Sequence, residues 1–152
     1  MELKIIVVGT VKEAFYQKKI DEFQKKIQKK IPIRIICLKD ESIPAKPSDR
    51  VIEKIKETEG EKILSQIKNT DYVAALCIGG TKMDNERIWK IIKHAETSQK
   101  ENLTFVIGGS LGLSDAVVKR ADCKISFSGM TFPHQLMRVM LMEVLADVIC
   151  DM

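Results

Sequence analysis

The chain of 152 residues is long enough for one domain with a hydrophobic core and too short for two domains of ordinary size. Its composition, 45% hydrophobic and 30% charged, excludes an intrinsically disordered protein. The net charge of +4 permits contact with phosphate groups but does not require a nucleic-acid partner. No apolar run approaches the roughly 18 residues of a membrane span, and no signal peptide is visible, so we expect a cytoplasmic protein without membrane contact.

The four cysteines are widely spaced and give no metal-binding pattern. Cys37, Cys77, Cys123 and Cys150 form no C-x-x-C pair, and neither histidine stands at ligand spacing from a cysteine. The sequence therefore predicts no metal site. Because the cysteines fall in apolar strand-like runs or near the end of an apolar helix, we expect buried free thiols, as in a reducing cytoplasm.

Apolar runs of strand length alternate along the chain with segments of helical periodicity. Strands are predicted at 3–8, 33–38, 71–80, 103–109 and 123–127, and helices at 14–30, 49–67, 85–97, 115–119 and from 133 onward. Ser48, Asp84 and Ser114 are predicted to cap three of the helices. Because the strands are continuous apolar runs, they indicate a parallel sheet covered on both faces. The sequence therefore predicts one α/β domain over residues 1–152, with about five mainly parallel strands.

Small residues end three predicted strands in succession. Gly79-Gly80, Gly108-Gly109 and Ser128-Gly129 follow the third, fourth and fifth strands. Because ligands bind outside the carboxyl ends of strands in such sheets, these turns indicate a site built largely from backbone groups. Taken alone, the Gly108-Gly109-x-x-Gly112 pattern favours an ordinary tight turn, since it is neither a dinucleotide fingerprint nor a P-loop.

The helix predicted from Pro133 onward is apolar on nearly every side, which is typical of a helix that is buried all round. A chain of this size can hardly cover such a terminal helix by itself. We therefore expect a homodimer formed through this helix, with a core helix covered by its own chain as the alternative. Arg138 and Glu143 interrupt the apolar surface, and an ion pair across the dimer is the simpler interpretation of both.

The segments Phe105–Gly109 and Ser126–Gln135 carry the most specific part of a resemblance that runs from Val8 to Glu143. In order and spacing, the chain resembles the RlmH family of SPOUT-type RNA methyltransferases. The resemblance implies a C-terminal trefoil knot and a homodimer. It also implies methyl transfer from S-adenosyl-L-methionine (SAM) to N3 of a pseudouridine in the 23S ribosomal RNA of assembled ribosomes.

The same resemblance implies the position of the cofactor site. The residues that it places around SAM are Leu76, Gly108, Gly109, Gly112, Phe127, Ser128, Gly129, Met130, Thr131 and Phe132. His134 and Arg138 are weaker candidates for contacts with the RNA. Structural roles are the alternative for both: His134 would support the turn, and Arg138 would form the interfacial pair.

Several positions depart from the family pattern. The differing residues are Thr10, Thr81 and Gly129, where lysine is usual, Leu111, where asparagine or aspartate is usual, and Ala146 and Asp147, where tyrosine and arginine are usual. The family's C-terminal tail is also expected to be missing. No residue can therefore be assigned as the catalytic base. The alternative is a divergent paralogue that dimerises and can bind SAM but does not methylate this ribosomal site, serving as a binding module or acting on another RNA.

Overall fold

The computed structural model describes residues 1–130 and 132–151, and for His134 the backbone alone. Strands and helices alternate along the described chain. The elements are β1 (Glu2–Val8), α1 (Ala14–Gln28), β2 (Ile33–Leu38), α2 (Asp49–Leu64), β3 (Asp71–Lys82), α3 (Asn85–Thr97), β4 (Asn102–Ile107), α4 (Asp115–Arg120), β5 (Cys123–Ser126) and α5 (His134–Asp151). Every predicted element is present, with ends that differ by a few residues.

The five strands form one sheet in the order β2-β1-β4-β3-β5, and all neighbouring strands are parallel. The prediction of an α/β domain with a mainly parallel sheet is thus confirmed. The central strands β1 and β4 are buried over nearly their whole length, which explains their continuous apolar sequence. The trefoil knot stays a prediction of the family resemblance.

Helices cover both faces of the sheet. Leu3, Ile5 and Val7 of β1 pack in a core shared with α1, α3 and α5. Ile6 and Val8 pack in a second core with α2 and α4 on the opposite face. Successive side chains of a strand point to opposite faces, so the apolar residues of β1 divide between the two cores.

The predicted helix caps are confirmed at three sites. The Ser48 and Ser114 hydroxyls each accept a hydrogen bond from a backbone N–H three residues ahead, at 3.3 Å. The Asp84 carboxylate accepts one from the N–H of Arg87 at 2.8 Å. Each cap satisfies a donor that the first turn of a helix leaves without an intrahelical partner.

A buried polar network ties three strands together at the edge of the sheet where they begin. Lys4 Nζ lies 2.6 Å from Asp71 Oδ2, and the two side chains are 1% and 0% exposed. Asn102 Nδ2 donates to Asp71 Oδ1 at 2.6 Å, and the N–H of Lys68 donates to Oδ2 at 3.0 Å. Burial by itself raises the pKa of Asp71, but the hydrogen bonds from Lys4, Lys68 and Asn102 hold that pKa below its ordinary value.

Helix α5 is not buried on all sides in the single chain, so the alternative of a core helix covered entirely by its own chain is wrong, and the homodimer stays a prediction. Leu141, Met142 and Leu145 are buried against the layer that contains α1 and α3, whereas Glu143 and Asp147 are exposed. One face of the helix therefore lies outside the core of its own chain. Nowhere in the described part of the chain is a helix both long and apolar enough to cross a membrane.

The cysteines are free, as expected, but they are not all buried. Cys37 is exposed on the edge strand β2, and Cys77, Cys123 and Cys150 are partly buried. The expectation of buried thiols is therefore wrong for Cys37. Its strand has only one neighbour in the sheet, so an apolar run there does not guarantee burial.

Candidate functional site

A cleft of about 450 Å³ opens where β3, β4 and β5 end. These three strands are neighbours in the sheet, so their carboxyl ends meet at one edge. The cleft is lined by residues 76–78, 107–113, 125–128, 130, 132–133 and 137. The predicted turns after β4 and β5 do lie together at this edge, whereas Gly79 and Gly80 fall inside β3, which extends to Lys82, and do not line the cleft.

Strand β3 contributes to the cleft through a bulge. Leu76 and Thr81 both pair with Ile125 of β5, so the four residues between them protrude from the ladder. Ile78 lies in this bulge, lines the cleft and is 75% exposed. At Gly80, a Cβ atom would lie 2.7 Å from the backbone N, C and O atoms of Ile125, which explains why glycine stands there.

The loop after β4 folds back on itself. The N–H of Gly112 donates to the carbonyl of Gly109 at 3.0 Å, and Gly112 has a φ of +89°, which favours glycine. A Cβ on Gly108 would lie 2.9 Å from Leu113 Cδ2 and 3.0 Å from the Gly112 carbonyl group. Gly108 is thus required by the closure of its own loop, whatever ligand the loop meets.

The turn after β5 is held by two hydroxyl groups. Ser126 Oγ donates to the carbonyl of Ser128 at 2.8 Å, and the N–H of Met130 donates to Ser128 Oγ at 3.0 Å. Met130 is 70% exposed and lines the cleft, as Ile78 does. Two large apolar side chains that are mostly exposed in the single chain therefore border this site.

The structure brings together most of the residues proposed for cofactor binding. Those that line the cleft are Leu76, Gly108, Gly109, Gly112, Phe127, Ser128, Met130 and Phe132. Gly129 does not line it, and Thr131 lies outside the described residues. Cys77, Ile78 and Met137 also line the cleft and were missed, because the β3 bulge and the direction of the first turn of α5 leave no signal in the sequence.

The two weaker candidates are placed differently. The side chain of His134 lies outside the described residues. Arg138 does not line the cleft; it is 3% exposed, and its Nη2 donates to the carbonyl of Val8 at 2.6 Å. A guanidinium group buried in this way does not fit the hypothesis of a contact with RNA phosphate.

The described lining of the cleft is apolar and neutral. Its polar side chains are the hydroxyls of Ser110, Ser126 and Ser128 and the thiol of Cys77. Burial raises the pKa of the Cys77 thiol, while the Lys124 charge opposes the shift, so this thiol stays protonated at neutral pH. Such a lining suits a ligand with an apolar ring system whose polar groups are met by backbone atoms.

A buried carboxylate stands behind the loop that follows β4. Glu59 of α2 accepts a hydrogen bond from the N–H of Glu41 at 2.9 Å, and its Oε1 would lie 3.1 Å from a Cβ on Gly109. Burial, joined by the charges of Asp40 and Glu41, raises the pKa of Glu59. Sequence reasoning missed this buried carboxylate, because Glu59 stands among the many charged residues of an amphipathic helix.

Among the described residues, no three His, Cys, Asp or Glu side chains are grouped so that they could hold a metal ion.

The matches with known proteins agree with this fold. Residues 1–146 match the family model described as "Predicted SPOUT methyltransferase", so the chain belongs to the SPOUT methyltransferase family. Similar relatives are named ribosomal RNA large subunit methyltransferase H. The protein of Lactococcus lactis subsp. cremoris is 48% identical, that of Clostridioides difficile 46% and that of Enterococcus faecalis 43%. Each match spans 143 residues, which is 94% of this chain and 90% of the relative.

Proposed function

We propose that this protein is a SAM-dependent methyltransferase that acts on N3 of a pseudouridine in 23S ribosomal RNA. The observation that carries the proposal is the neutral cleft at the ends of β3, β4 and β5, in a SPOUT-family chain whose relatives are named as ribosomal RNA methyltransferases. We further propose that residues 1–152 act as one domain, that the enzyme works on the ribosome in the cytoplasm, and that it needs no metal.

The cleft residues would hold SAM by shape and by backbone groups. Leu76, Phe127, Met130 and Phe132 would contact the adenine ring, and the turns at Gly108 and Ser128 would present main-chain N–H and C=O groups. The volume of about 450 Å³ is within the range of small-molecule sites, and its apolar walls fit a flat ring. When bound, SAM supplies an electrophilic methyl group on its sulfonium sulfur.

The residues around the cleft would contribute to the reaction by orienting the base towards the methyl group. N3 of the base must lose its proton before or during attack on the methyl group, and displacement of the base by about 1 Å can slow such a reaction on the order of a hundredfold. The described lining of the cleft holds no charged side chain, and Glu59 lies behind the loop that follows β4. We therefore assign no catalytic residue.

A homodimer through α5 is part of the proposal. Leu136 and Met140 stand one helical turn apart on α5 and remain partly exposed in the single chain. Burial of such a row against a second copy would remove apolar surface from water. Because Met137 of the same helix lines the cleft, a partner that packs on α5 would also lie near the site.

The test is transfer of a labelled methyl group from SAM to ribosomes that lack this modification, followed by mapping of the labelled nucleotide. Label at N3 of a pseudouridine in 23S ribosomal RNA is the expected result. Leu76→Trp should block transfer by filling the cleft, whereas Leu76→Ile, which keeps the volume, should not. SAM binding without label on this RNA would overturn the proposed substrate.

A divergent paralogue is the second candidate, and Asp147 favours it. Together with Glu143 and Asp151, Asp147 is exposed on α5, and the three carboxylates would repel a polyanion. Leu111 lines the cleft. It places an apolar side chain where the family that the sequence resembles usually carries asparagine or aspartate. If Asp147→Arg creates methyl transfer that the original chain lacks, the paralogue is the better description; strong transfer by the original chain rules it out.

A further inference from the structure

Helix α2 contacts both ends of the loop that follows β4. This loop, residues 108–113, lines the cleft proposed for SAM. At the start of the loop, Glu59 Oε1 lies 3.1 Å from the position that a Cβ atom on Gly109 would take. At its end, a Cβ on Gly60 would collide with Ser114 Oγ and lie 2.9 Å from Ser114 Cβ. Two consecutive residues of one helix therefore pack against the two ends of one loop.

The contact at the end of the loop explains a glycine inside a helix. Glycine is less favourable than alanine in a helix interior, and Gly60 is a buried residue of α2. The Ser114 side chain fills the space that a Cβ at position 60 would need, and its hydroxyl accepts the capping hydrogen bond from the N–H of Val117 at 3.3 Å. Ser114 is thus fixed between α2 and α4, and the end of the loop is fixed with it.

At the start of the loop, the carboxylate of Glu59 is itself fixed. Its Oε2 accepts a hydrogen bond from the N–H of Glu41 at 2.9 Å, and the Glu41 carboxylate lies 2.8 Å from Lys62 Nζ of α2. Glu59 is only 5% exposed. Burial of a carboxylate is unfavourable, so an apolar side chain would fill the same space with less loss of stability. A role in placing the loop accounts for a carboxylate at this position.

Gly109 lies between Glu59 and the cleft. A Cβ on Gly109 would point towards Glu59 and would lie 3.4 Å from Val8 Cγ1, so it would be directed behind the loop. The backbone of Gly109 lines the cleft, and its carbonyl accepts the hydrogen bond from the N–H of Gly112 that closes the loop. A shift of Gly109 would therefore move the main-chain groups that face the ligand.

We propose that Glu59 is a positioning residue for the cofactor loop. Its carboxylate supports the backbone of Gly109 from behind, while Gly60 and Ser114 fix the other end, so that the loop is already ordered when SAM arrives. A preordered loop binds its ligand more tightly, because less conformational freedom is lost on binding. Glu59 does not line the cleft. The inference rests on the proposed SAM site, but the order of the loop can be measured without any ligand.

Calorimetry with SAM compares two substitutions of Glu59. Glu59→Ala leaves a gap behind Gly109 and should weaken SAM binding by about tenfold, an effect common between residues in contact. Glu59→Gln keeps the volume and can accept the hydrogen bond from Glu41, so it should retain the affinity. Ile92→Val, a destabilising change in the core on the other face of the sheet, should also retain it. Equal affinities of the Ala and Gln variants would overturn the proposal.

A double-mutant cycle tests the contact itself. Gly109→Ala directs a methyl group at the Glu59 carboxylate and should weaken SAM binding. In the Glu59→Ala background the space behind the loop is open, so the same substitution should have a smaller effect. Strictly additive losses would mean that the two residues act independently, and the proposal would fail.

Hydrogen exchange of the protein without ligand separates this inference from the proposed function. The amide of Gly112, which donates within the loop, should exchange faster in Glu59→Ala than in Glu59→Gln, with no change in α1 and α3. Equal exchange of Gly112 in the two variants, or faster exchange throughout the chain, would contradict a positioning role. An original chain that does not bind SAM would refute the proposed function, and the exchange of Gly112 would then decide alone whether Glu59 orders the loop. SAM binding that Glu59→Ala leaves unchanged would refute only the role of Glu59.

Discussion

The backbone of Gly80 lies against the backbone of Ile125 so closely that the smallest side chain would collide with it. A Cβ atom on Gly80 would be 2.7 Å from the N, C and O atoms of Ile125, whereas a Cβ on the preceding Gly79 would meet nothing within 4 Å. The two adjacent glycines therefore differ in structural role: only Gly80 is required by close backbone packing. Gly80 lets the bulge of β3 rejoin β5 beside the cleft, and Gly79 lies in open space.

Gly80→Ala should destabilise the fold and weaken SAM binding. Because the colliding atoms belong to backbone, they cannot swing aside, and overpacking of this kind costs about 1–3 kcal/mol. Gly79→Ala is the matched control and should change the free energy of unfolding by only a few tenths of a kcal/mol. Urea denaturation of both variants gives the comparison; equal losses would show that the bulge does not close as described.

Gly108→Val should abolish SAM binding. The added side chain would push into Leu113 and the Gly112 carbonyl, so the loop that lines the cleft could not close. Gly129→Ala is the control, because a Cβ there meets nothing within 4 Å and Gly129 does not line the cleft. Calorimetry with SAM on folded samples of both proteins is the measurement. Unchanged affinity in Gly108→Val would mean that SAM binds elsewhere.

The sequence was sufficient for the order of elements and for the location of the cleft, because both follow from local patterns. Apolar runs mark strands, and small residues mark the strand ends that meet at one edge of a parallel sheet. The protruding bulge around Ile78 could not be predicted, since it arises from two residues of β3 that pair with the same residue of β5.

The partners of the buried polar residues could also not be predicted from the sequence. Lys4 stands in an apolar run and looks like an interruption, yet its ammonium group meets a carboxylate 67 residues away. The hydrogen bond from Arg138 to the Val8 carbonyl depends on how α5 packs against β1. Such partners are set by tertiary packing, and no periodicity in the chain encodes them.

Met140→Asp should convert the proposed dimer into monomers. The substitution would place a carboxylate in the apolar row on α5, and an unpaired charge in an interface opposes association. Lys90→Asp is the control, because Lys90 is an exposed residue of α3, 70% exposed in a surface ion pair. Light scattering reports the mass of each variant. A dimer that persists in Met140→Asp would place the interface elsewhere.

Lys4→Met should be strongly destabilising. It removes the cation from Asp71 while the carboxylate remains fully buried, and breaking a buried pair in this way costs about 3–5 kcal/mol. The control is Lys90→Met, which breaks an exposed pair with Glu86 and should cost about 0–1 kcal/mol. The measurement is urea denaturation at neutral pH, and a loss no greater than that of the control would contradict the role assigned to the network.

Glu59→Gln should change how stability depends on pH. Burial, with the charges of Asp40 and Glu41 acting in the same direction, raises the pKa of Glu59 above its ordinary value of 4.5. A group whose pKa is higher in the folded state contributes stability that is complete below the unfolded pKa and is lost as pH rises through the folded pKa.

The original chain should therefore lose stability relative to Glu59→Gln as pH rises from about 4.5 through the folded pKa, by about 1.4 kcal/mol for each pH unit of the shift. Glutamine can still accept the hydrogen bond from the N–H of Glu41, so the contact itself is retained. Urea denaturation of both proteins from acidic to neutral pH measures the difference. Parallel curves over this range would mean that the pKa of Glu59 is not raised in the folded protein. The carboxylate beside Gly109 would then be solvated rather than buried.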